Sequence, residues 1–302
     1  MIPLLDLRDG DVVDRLAHAY ETFGFAQVVG HGVDQALVDA VFEASDRFHA
    51  LPEAEKARVA LDRNHRGHIA VATSTDRRSE IESVTRPNQS ESFMMMRDAG
   101  PDDPDVQAGH YLAGPNQWPA LDGFRDTLEE FEQTMAPVAR RILGLFLDAL
   151  GGVSLPPGAL DPPTVWLRLL RYPPRAPERG LYGSAPHVDF GAVTLLAQDD
   201  VGGLQVRGEG GTWIDVAPMR GAFVLNIGAV MRHWSGGRFV ATPHRVLNHP
   251  SRVRRSVAYF LDPHVTTTVD TLVGDSERRP YVFGDFLRTE LEAGYDRHSP
   301  TR

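Results

Sequence analysis

The 302-residue chain contains no cysteine. Disulfide bonds, thiolate metal sites, cysteine-ligated iron–sulfur clusters and a cysteine nucleophile are therefore excluded together. Any metal ion must be held by histidine and carboxylate side chains. Lysine is nearly absent as well, because Lys56 is the only one and arginine carries the remaining fixed positive charge.

An excess of positive charge is also lacking: the formal net charge is −10 and the pI is about 5.6. The field of the whole molecule repels nucleic acid and anionic lipid surfaces, so we expect neither as a partner. No apolar run approaches the roughly 20 residues that a membrane-spanning helix needs. The first residues, MIPLLDLRDGD, contain no basic segment of a signal peptide. These absences predict a cytoplasmic protein.

The overall composition, 42% hydrophobic and 24% charged, is typical of a globular protein with a sizeable core. Apolar residues at helical spacing predict helices over residues 12–23, 34–50 and 121–150. Pro137 lies inside the last of these and should kink it. Residues 60–118 are mixed and polar, and they predict long loops with short elements that form a lid over a site.

Short apolar runs separated by Gly, Pro and Asp turns follow from residue 165 onward, and they predict an all-β barrel or a double-sheet jelly roll. The predicted strands are 165–172, 191–197, 203–206, 212–216, 222–227, 244–248 and 255–261. We therefore expect a mainly β fold with flanking helices. The expected regions are an N-terminal α/β region packed on the core (1–120), a long helix and linker (121–163), the β core (164–285) and a C-terminal helix or tail (286–302).

A histidine and an aspartate stand two residues apart at His187 and Asp189, and a second histidine follows at His244. Residues i and i+2 of a strand share a face, so His187 and Asp189 can point inward together. Two imidazoles and one carboxylate are the ligand set of non-haem Fe(II) oxygenases, and three protein ligands leave positions open for chemistry. We predict an iron site at these three residues. Four other histidines are interpreted as structural or surface residues: His31, His233, His249 and His264.

An arginine, Arg254, follows His244 by ten residues, and Ser256 stands two residues further on. Both should face the same side of a strand as the apolar Ala258 and Phe260. A buried guanidinium beside a hydroxyl suits the distal carboxylate of an oxo-acid, because each charge-assisted hydrogen bond contributes about 1.5–3 kcal/mol. Together with the iron ligands, this pair predicts an iron oxygenase that binds an oxo-acid.

A series of segments runs through the chain in a fixed order. They are IPLLDL, GFAQVVGHGV, FHALPEAEK, GPNQWP (114–119), LRLLRYPP, HVDFGAVTLLAQDDVGGLQV, WIDVAPMRGAFVLNIGAVMRHWSGGRFVATPHRV and RRSVAYFLDP. Taken together, they resemble the isopenicillin N synthase-like branch of the Fe(II)/2-oxoglutarate-dependent dioxygenases, nearly end to end. The resemblance implies a double-stranded β-helix (jelly roll) core. It also implies an enzyme that uses Fe(II), 2-oxoglutarate and O2 to hydroxylate, desaturate or cyclise a small molecule, with release of succinate and CO2.

The resemblance implies roles for individual residues. The residues carried over are His187, Asp189 and His244 for iron, and Arg254, Ser256 and Tyr172 for the C5 carboxylate of 2-oxoglutarate. Three positions depart from the family pattern. Leu170 stands where many relatives have Asn, Ala229 where Asp is usual, and His68 where Tyr is common. These departures concern the substrate pocket and the surroundings of the site rather than the iron ligands.

Three other functions fit the same residues. They are an oxidase of the same fold that does not consume 2-oxoglutarate, a noncatalytic jelly-roll module that binds a carboxylate ligand, and a zinc hydrolase with Glu91 as its general base. The residues that could line a substrate pocket are Arg168, Arg171, Arg86 and Met94–Met96. The arginines favour an acidic small molecule as the substrate.

Overall fold

The structure, a computed structural model, describes residues 2–76, 79, 81–274 and 279–294 of the chain. The helices in this part are α1 (Val12–Thr22), α2 (Gln35–His49), α3 (Glu53–Ala57), α4 (Pro104–Gln107), α5 (Phe124–Ala149), α6 (Ala229–Trp234) and α7 (Phe283–Gly294). Among the described residues, none of these helices has the length and apolar character that a membrane crossing requires.

The strands divide into two principal sheets and one small pair. They are β1 (Leu4–Asp6), β2 (Phe25–Val29), β3 (Gly67–Ile69), β4 (Glu91–Met96), β5 (Thr164–Tyr172), β6 (Ser184–His187), β7 (Val193–Gln198), β8 (Leu204–Arg207), β9 (Trp213–Asp215), β10 (Phe223–Ile227), β11 (His244–Val246), β12 (Arg254–Asp262), β13 (Thr268–Val269) and β14 (Tyr281–Val282). The large sheet has the order β1-β2-β10-β7-β12-β5-β4-β3, and the second has the order β6-β11-β8-β9.

The nine-residue strands β5 and β12 pair antiparallel at the centre of the large sheet, with Arg254 opposite Tyr172 and Ser256 opposite Leu170. Because side chains alternate across a strand, every second residue of β12 faces the second sheet. Ala258 on that face belongs to the cluster between the two sheets, together with Leu170, Leu204, Val206 and Val246. The two facing sheets form the expected jelly-roll core.

Helices cover the opposite face of the large sheet. Helix α5 packs against α1 and α2 and against strands β7 and β12. Its apolar stripe is buried, as expected for an amphipathic helix on a sheet; the stripe consists of Phe124, Leu128, Phe131, Met135, Ala139, Ile142 and Phe146. The cavity described below therefore lies on the side of the large sheet that these helices leave uncovered.

The predicted helices and strands occur within a few residues of their expected bounds. Residues 60–118 are long loops with short elements, as predicted, and two of these elements, β3 and β4, join the edge of the large sheet, which the sequence did not indicate. Every residue of β4, ESFMMM, is buried. At the C-terminus, α7 begins at Phe283, and residues 295–302 lie outside the described part of the chain.

Candidate metal centre and cavity

Two imidazoles and one carboxylate converge at one end of the two sheets. Strand β6 ends at His187, β11 begins at His244, and the two residues are direct partners in the antiparallel pair. Asp189 Oδ1 lies 3.6 Å from the Nε2 atom of each histidine. The three candidate ligand atoms lie within 4.8 Å of one another. This donor set, with no sulfur, fits a divalent iron ion.

Neighbouring groups direct the free atoms of the triad toward one point. The Nδ1 atoms of His187 and His244 lie 2.7 and 3.3 Å from the carbonyl oxygens of Ala185 and Thr242. Donation of Nδ1–H to these carbonyls leaves each Nε2 with a free lone pair. The second aspartate oxygen, Asp189 Oδ2, accepts hydrogen bonds of 2.6 Å from Thr194 Oγ1 and Asn226 Nδ2. Oδ1 is thereby left for the metal.

The protonation states of these groups also suit a metal ion. Burial, reinforced by the neighbouring His187, lowers the pKa of His244 to about 4, so its imidazole is neutral at physiological pH. Burial alone would raise the pKa of Asp189. The two facing imidazoles and the hydrogen bonds from Thr194 and Asn226 outweigh burial and lower that pKa below its usual value. Neutral imidazole and ionised carboxylate are the forms that bind metal.

Asp189 does not lie in a strand, contrary to the prediction that one strand carries both residues of the His-x-Asp pair. Strand β6 ends at His187, and Asp189 belongs to the turn that follows. The Asp189 carbonyl accepts a hydrogen bond of 2.9 Å from Ala229 N at the start of α6. Asp262 Oδ1 accepts one of 2.9 Å from Ala192 N at the other end of the turn. These two contacts, rather than strand alternation, hold the aspartate beside the histidines.

Glycine is required at the tip of this turn. A Cβ atom at position 191 would lie 1.6 Å from Asp262 Oδ1, far inside any van der Waals contact. The close approach lets the Asp262 carboxylate reach the backbone of the turn. Asp262 is itself buried, and burial raises the pKa of its carboxyl to about 7.

The predicted oxo-acid residues lie between the sheets. Arg254 is 0% exposed, and its guanidinium lies over the ring of Tyr172 at 4.7 Å. It donates to Gln198 Oε1 at 3.0 Å and to Ser256 Oγ at 3.4 Å, while its Nε has no hydrogen-bond partner in the part of the chain that the structure describes. Arg254 therefore forms no ion pair with a carboxylate of the described residues. A buried guanidinium without a counter-ion is costly, so this arrangement fits the carboxylate of a bound oxo-acid.

A cavity of about 560 Å³ opens beside the triad, and His187 and Asp189 line it. Trp166, Arg168 and Leu170 follow one another along the inner face of β5 in its wall. The remaining sides combine apolar and polar side chains from other elements. The apolar ones include Met94, Phe190, Phe260, Phe286, Leu287 and Leu291, and the polar ones include Ser74, Asp76, Asn88, Arg232 and Glu290. A cavity of this size and lining is suited to a small organic molecule.

The residues suggested for the substrate pocket separate into two groups. Arg168 and Met94 line the cavity, whereas Arg171 and Arg86 do not. Arg171 points to the opposite face of β5 and pairs with Glu91 at 2.8 Å. Arg86 pairs with Glu178 near the surface. The expectation that all three arginines line one pocket is therefore wrong for two of them.

The three departures from the family pattern also lie in different surroundings. Leu170 and Ala229 line the cavity, so their effect falls on the pocket. His68 lies elsewhere, with its Nε2 3.3 Å from Glu91 Oε2. Glu91 also accepts a hydrogen bond of 3.0 Å from Lys56 Nζ. Glu91 does not line the cavity. It is therefore not placed to act as the general base of a hydrolase.

Sequence reasoning did not identify several residues that support the site. Thr194, Asn226, Gln198 and Asp262 each make a contact described above, and all come from strands of the large sheet. A polar residue within an apolar strand was the available signal: Thr194 in VTLLAQ and Asn226 in FVLNI. Buried polar groups need partners, so such positions point to a nearby site.

Two facing sheets, a two-histidine and one-carboxylate centre at their end and a buried arginine between them define a non-haem iron oxygenase of the jelly-roll class. Residues 2–121 match the family described as non-haem dioxygenase in morphine synthesis N-terminal, and residues 164–263 match the 2OG-Fe(II) oxygenase superfamily. The chain therefore belongs to the 2OG-Fe(II) oxygenase superfamily, in its isopenicillin N synthase-like branch.

Curated relatives and solved structures agree with this family. A 2-oxoglutarate-dependent dioxygenase of Monascus ruber is 36% identical over 264 residues, covering 83% of this chain and 78% of the relative. A homoarginine-6-hydroxylase of Arabidopsis thaliana is 31% identical over 286 residues, covering 88% and 81% of the two chains. A full-length Neurospora crassa protein, solved in complex with alpha-KG, superposes with a TM-score of 0.81 at 25% identity, covering 97% and 96%. A rice dioxygenase for auxin oxidation gives 0.74 at 27% identity, covering 97% and 95%.

The enzyme class follows from this membership. The protein is a Fe(II)- and 2-oxoglutarate-dependent dioxygenase, an oxidoreductase of the kind that acts on small molecules. The predicted jelly-roll fold and the predicted cofactors are confirmed. The zinc hydrolase and the noncatalytic binding module are thereby set aside.

Proposed function

We propose that this oxygenase hydroxylates a small organic acid, with desaturation or ring closure as variants of the same reaction. His187, Asp189 and His244 hold Fe(II) through two Nε2 atoms and Oδ1. When bound, the iron and 2-oxoglutarate supply the oxidising chemistry, which with O2 oxidises a substrate C–H bond and releases succinate and CO2. The observation that carries the proposal is the convergence of three free ligand atoms beside a 560 Å³ cavity.

The co-substrate is held by the inner face of β12. Arg254 binds the C5 carboxylate of 2-oxoglutarate, supported by the Ser256 hydroxyl and by Tyr172. The unpartnered Nε of Arg254 supports this role, because the carboxylate of 2-oxoglutarate would supply the counter-ion that Arg254 lacks among the described residues. Leu170, opposite Ser256 in the strand register, leaves this part of the site without the amide found in many relatives.

The acidic character of the substrate is inferred from Arg168. This side chain lines the cavity and donates from Nε to Ser92 Oγ at 3.0 Å. It forms no ion pair with a carboxylate of the described residues, so its charge is free to bind a substrate anion. Two residues of a strand span about 7 Å, and this distance separates Arg168 from the cross-strand pair of Leu170 and Ser256. The substrate anion and the co-substrate anion would therefore bind at different positions along the strands.

The aromatic part of the wall positions the substrate and excludes water. Trp166 and Phe260 are direct partners across β5 and β12, and both line the cavity beyond Arg168. Phe286 of α7 packs against Phe190 at 6.1 Å between ring centres. These rings surround the reacting carbon with apolar surface and limit the access of water to the iron.

An anaerobic titration with Fe(II) and 2-oxoglutarate tests the cofactor assignments, since the complex has a weak visible charge-transfer band. We expect the band in the native protein, its loss in Asp189→Ala, and a higher 2-oxoglutarate requirement in Arg254→Ala. A substrate screen under air should then give one succinate per O2 consumed. Oxygen uptake without succinate would instead favour the oxidase that does not use 2-oxoglutarate.

A comparison of Arg168→Gln with native protein tests the substrate class. The variant should raise KM for an acid substrate and leave the charge-transfer band unchanged, because Arg168 is not among the proposed iron or oxo-acid ligands. An unchanged KM would contradict the role of Arg168 while leaving the iron chemistry intact.

A further inference from the structure

A second group of metal-binding side chains lies outside the large cavity. Asp105 Oδ1 is 3.0 Å from His110 Nδ1 and 3.2 Å from His264 Nε2. The three candidate ligand atoms lie within 4.8 Å of one another, as they do in the iron triad. Asp105 and His110 belong to α4 and the turn after it, and His264 follows β12. None of the three lines the large cavity.

The spacing of these atoms fits a small divalent ion. Ligands bound at 2.0–2.1 Å around a tetrahedral zinc ion stand roughly 3.3 Å apart, and the two contacts of Asp105 Oδ1 are within a few tenths of an ångström of that value. Two imidazoles and one carboxylate are also a common donor set for Zn²⁺. The geometry therefore requires little movement for metal to bind.

Surrounding contacts hold two of the three ligands in place. Asp105 Oδ2 is paired with Arg97, which leaves Oδ1 to face the histidines. Without metal, His264 Nδ1 accepts a hydrogen bond of 3.3 Å from Thr266 N, so its ring proton lies on Nε2. When a metal binds Nε2, the ring proton can move to Nδ1, which lies 2.7 Å from Thr266 Oγ1 and can donate to this hydroxyl. Without metal, ring N–H groups bond Asp105 instead. Binding of an ion would therefore displace protons from the cluster.

The cluster also has room for a further ligand and a route to solvent. A cavity of about 40 Å³ is lined by Asp105, His110 and His264, which is enough for a water molecule. The side chains of Asp105 and His264 are 14% and 11% exposed, whereas that of His110 is 32% exposed. An ion can therefore enter from the His110 side and retain one water.

We propose that Asp105, His110 and His264 form a second divalent-metal site, suited to Zn²⁺ with water as the fourth ligand. The site joins α4 to the segment after the central strand β12. Because the ligands come from distant parts of the chain, metal bound there stabilises the folded state over the unfolded state. This inference does not depend on the substrate or on the roles proposed for the catalytic residues.

Metal stoichiometry tests the proposal on the full-length, metal-stripped protein. Titration with Co²⁺, followed by visible absorption, should show two equivalents for the native protein and one for His187→Ala, which disables the iron triad. The double variant His187→Ala/His110→Gln should bind none. Zn²⁺ should raise the Tm of His187→Ala and leave that of the double variant unchanged. Glutamine retains a donor for Asp105, and far-UV circular dichroism verifies folding.

Two further variants complete the design. His264→Gln in the His187→Ala background should give the same loss of metal from the opposite side of the cluster. The control is His18→Gln in the same His187→Ala background. His18 lies on the exposed face of α1, so this double variant should still bind one equivalent of Co²⁺. If His187→Ala binds no Co²⁺, or if its one equivalent persists in both the His110→Gln and His264→Gln double variants, the cluster is a proton-bridged network and the proposal is wrong.

Discussion

Arg254 lies directly opposite Tyr172 across the β12–β5 pair, with its guanidinium carbon 4.7 Å from the centre of the phenol ring. The ring face supplies a weak cation–π attraction, and Gln198 and Ser256 supply neutral acceptors. None of these contacts neutralises the charge. The fold thus leaves the buried guanidinium of Arg254 without a counter-ion, and a bound carboxylate would supply one.

Arg254→Met should show separately how the buried charge affects the stability of the ligand-free protein and how it affects 2-oxoglutarate binding. Methionine keeps the apolar part of the side chain and removes the guanidinium. We expect 2-oxoglutarate affinity to fall by about 10- to 100-fold, because charge-assisted hydrogen bonds contribute roughly 1.5–3 kcal/mol. The Tm of the ligand-free protein should not fall, since an unpaired buried charge is removed. Thermal unfolding with and without 2-oxoglutarate measures both effects.

The matched control is Arg252→Met, because Arg252 is an exposed arginine paired with Asp200 just before β12. It should retain the stabilisation by 2-oxoglutarate. Full retention of that stabilisation in Arg254→Met would contradict the assignment of Arg254.

Thr194→Val should weaken the metal centre without touching a ligand. The Thr194 hydroxyl donates to Asp189 Oδ2 at 2.6 Å, and valine has nearly the same shape without the donor. Loss of such an outer contact lowers metal affinity by about 10- to 100-fold. Co²⁺ titration measures the change. Thr134→Val on the outer surface of α5 is the control, and equal affinities in the two variants would argue against the proposed orientation of Asp189.

Gly191→Ala should displace the turn that carries Asp189. The added Cβ would meet Asp262 Oδ1 at 1.6 Å, so the turn or the aspartate must move. Overpacking of this kind costs about 1–3 kcal/mol, and we expect metal affinity to fall as well. Urea unfolding measures the loss of stability, and Co²⁺ titration measures the loss of metal affinity. The double variant Gly191→Ala/Asp262→Ala removes the clash and should regain part of the affinity; a purely additive loss would show that the two residues do not interact.

The sequence predicted the jelly roll because most strands beyond residue 165 carry a local signal, an apolar run bounded by turn residues. Strand β4 shows where this reasoning fails. Its run of three methionines stands alone in a polar segment, and all its residues are buried, so the strand gives no alternating pattern. Pairing with residues of β5 that stand 70 to 80 positions later in the chain decides its structure.

The pocket arginines show a second limit. Arg168 and Arg171 stand three positions apart in one strand, and an odd difference in position places two residues on opposite faces of the sheet. That information was in the sequence. The partners of Asp189 were not, because Thr194 and Asn226 reach it only through the folding of β7 and β10 against the turn. Long-range packing of this kind has no local signature.

The final prediction concerns the buried charges around Glu91, which lie outside the cavity. Lys56 Nζ and Arg171 Nη1 lie 3.0 and 2.8 Å from its two oxygens, and Lys56 and Glu91 are 3% and 4% exposed. Burial would raise the pKa of Glu91, but hydrogen bonds from His68 and Lys56 outweigh it and lower the pKa to about 2. The carboxylate therefore stabilises the fold as the ionised partner of these groups.

Glu91→Gln should reduce the free energy of unfolding by about 3 kcal/mol at neutral pH, because the buried Lys56 keeps only the exposed Glu53 as a partner and the partly exposed Arg171 loses its ion pair. A folded-state pKa of about 2, below the usual 4.5, means that the stabilisation is fully present above pH 4.5 and is lost as the pH falls toward 2. Urea unfolding at a series of pH values should therefore show that the difference in free energy of unfolding between the native protein and Glu91→Gln becomes smaller as the pH falls. Glu55→Gln, which breaks only the surface pair with Arg58, should change stability by less than about 1 kcal/mol. The folded Glu91→Gln protein should also keep its Co²⁺ affinity, and a loss of metal binding would mean that Glu91 acts on the metal centre rather than on stability alone.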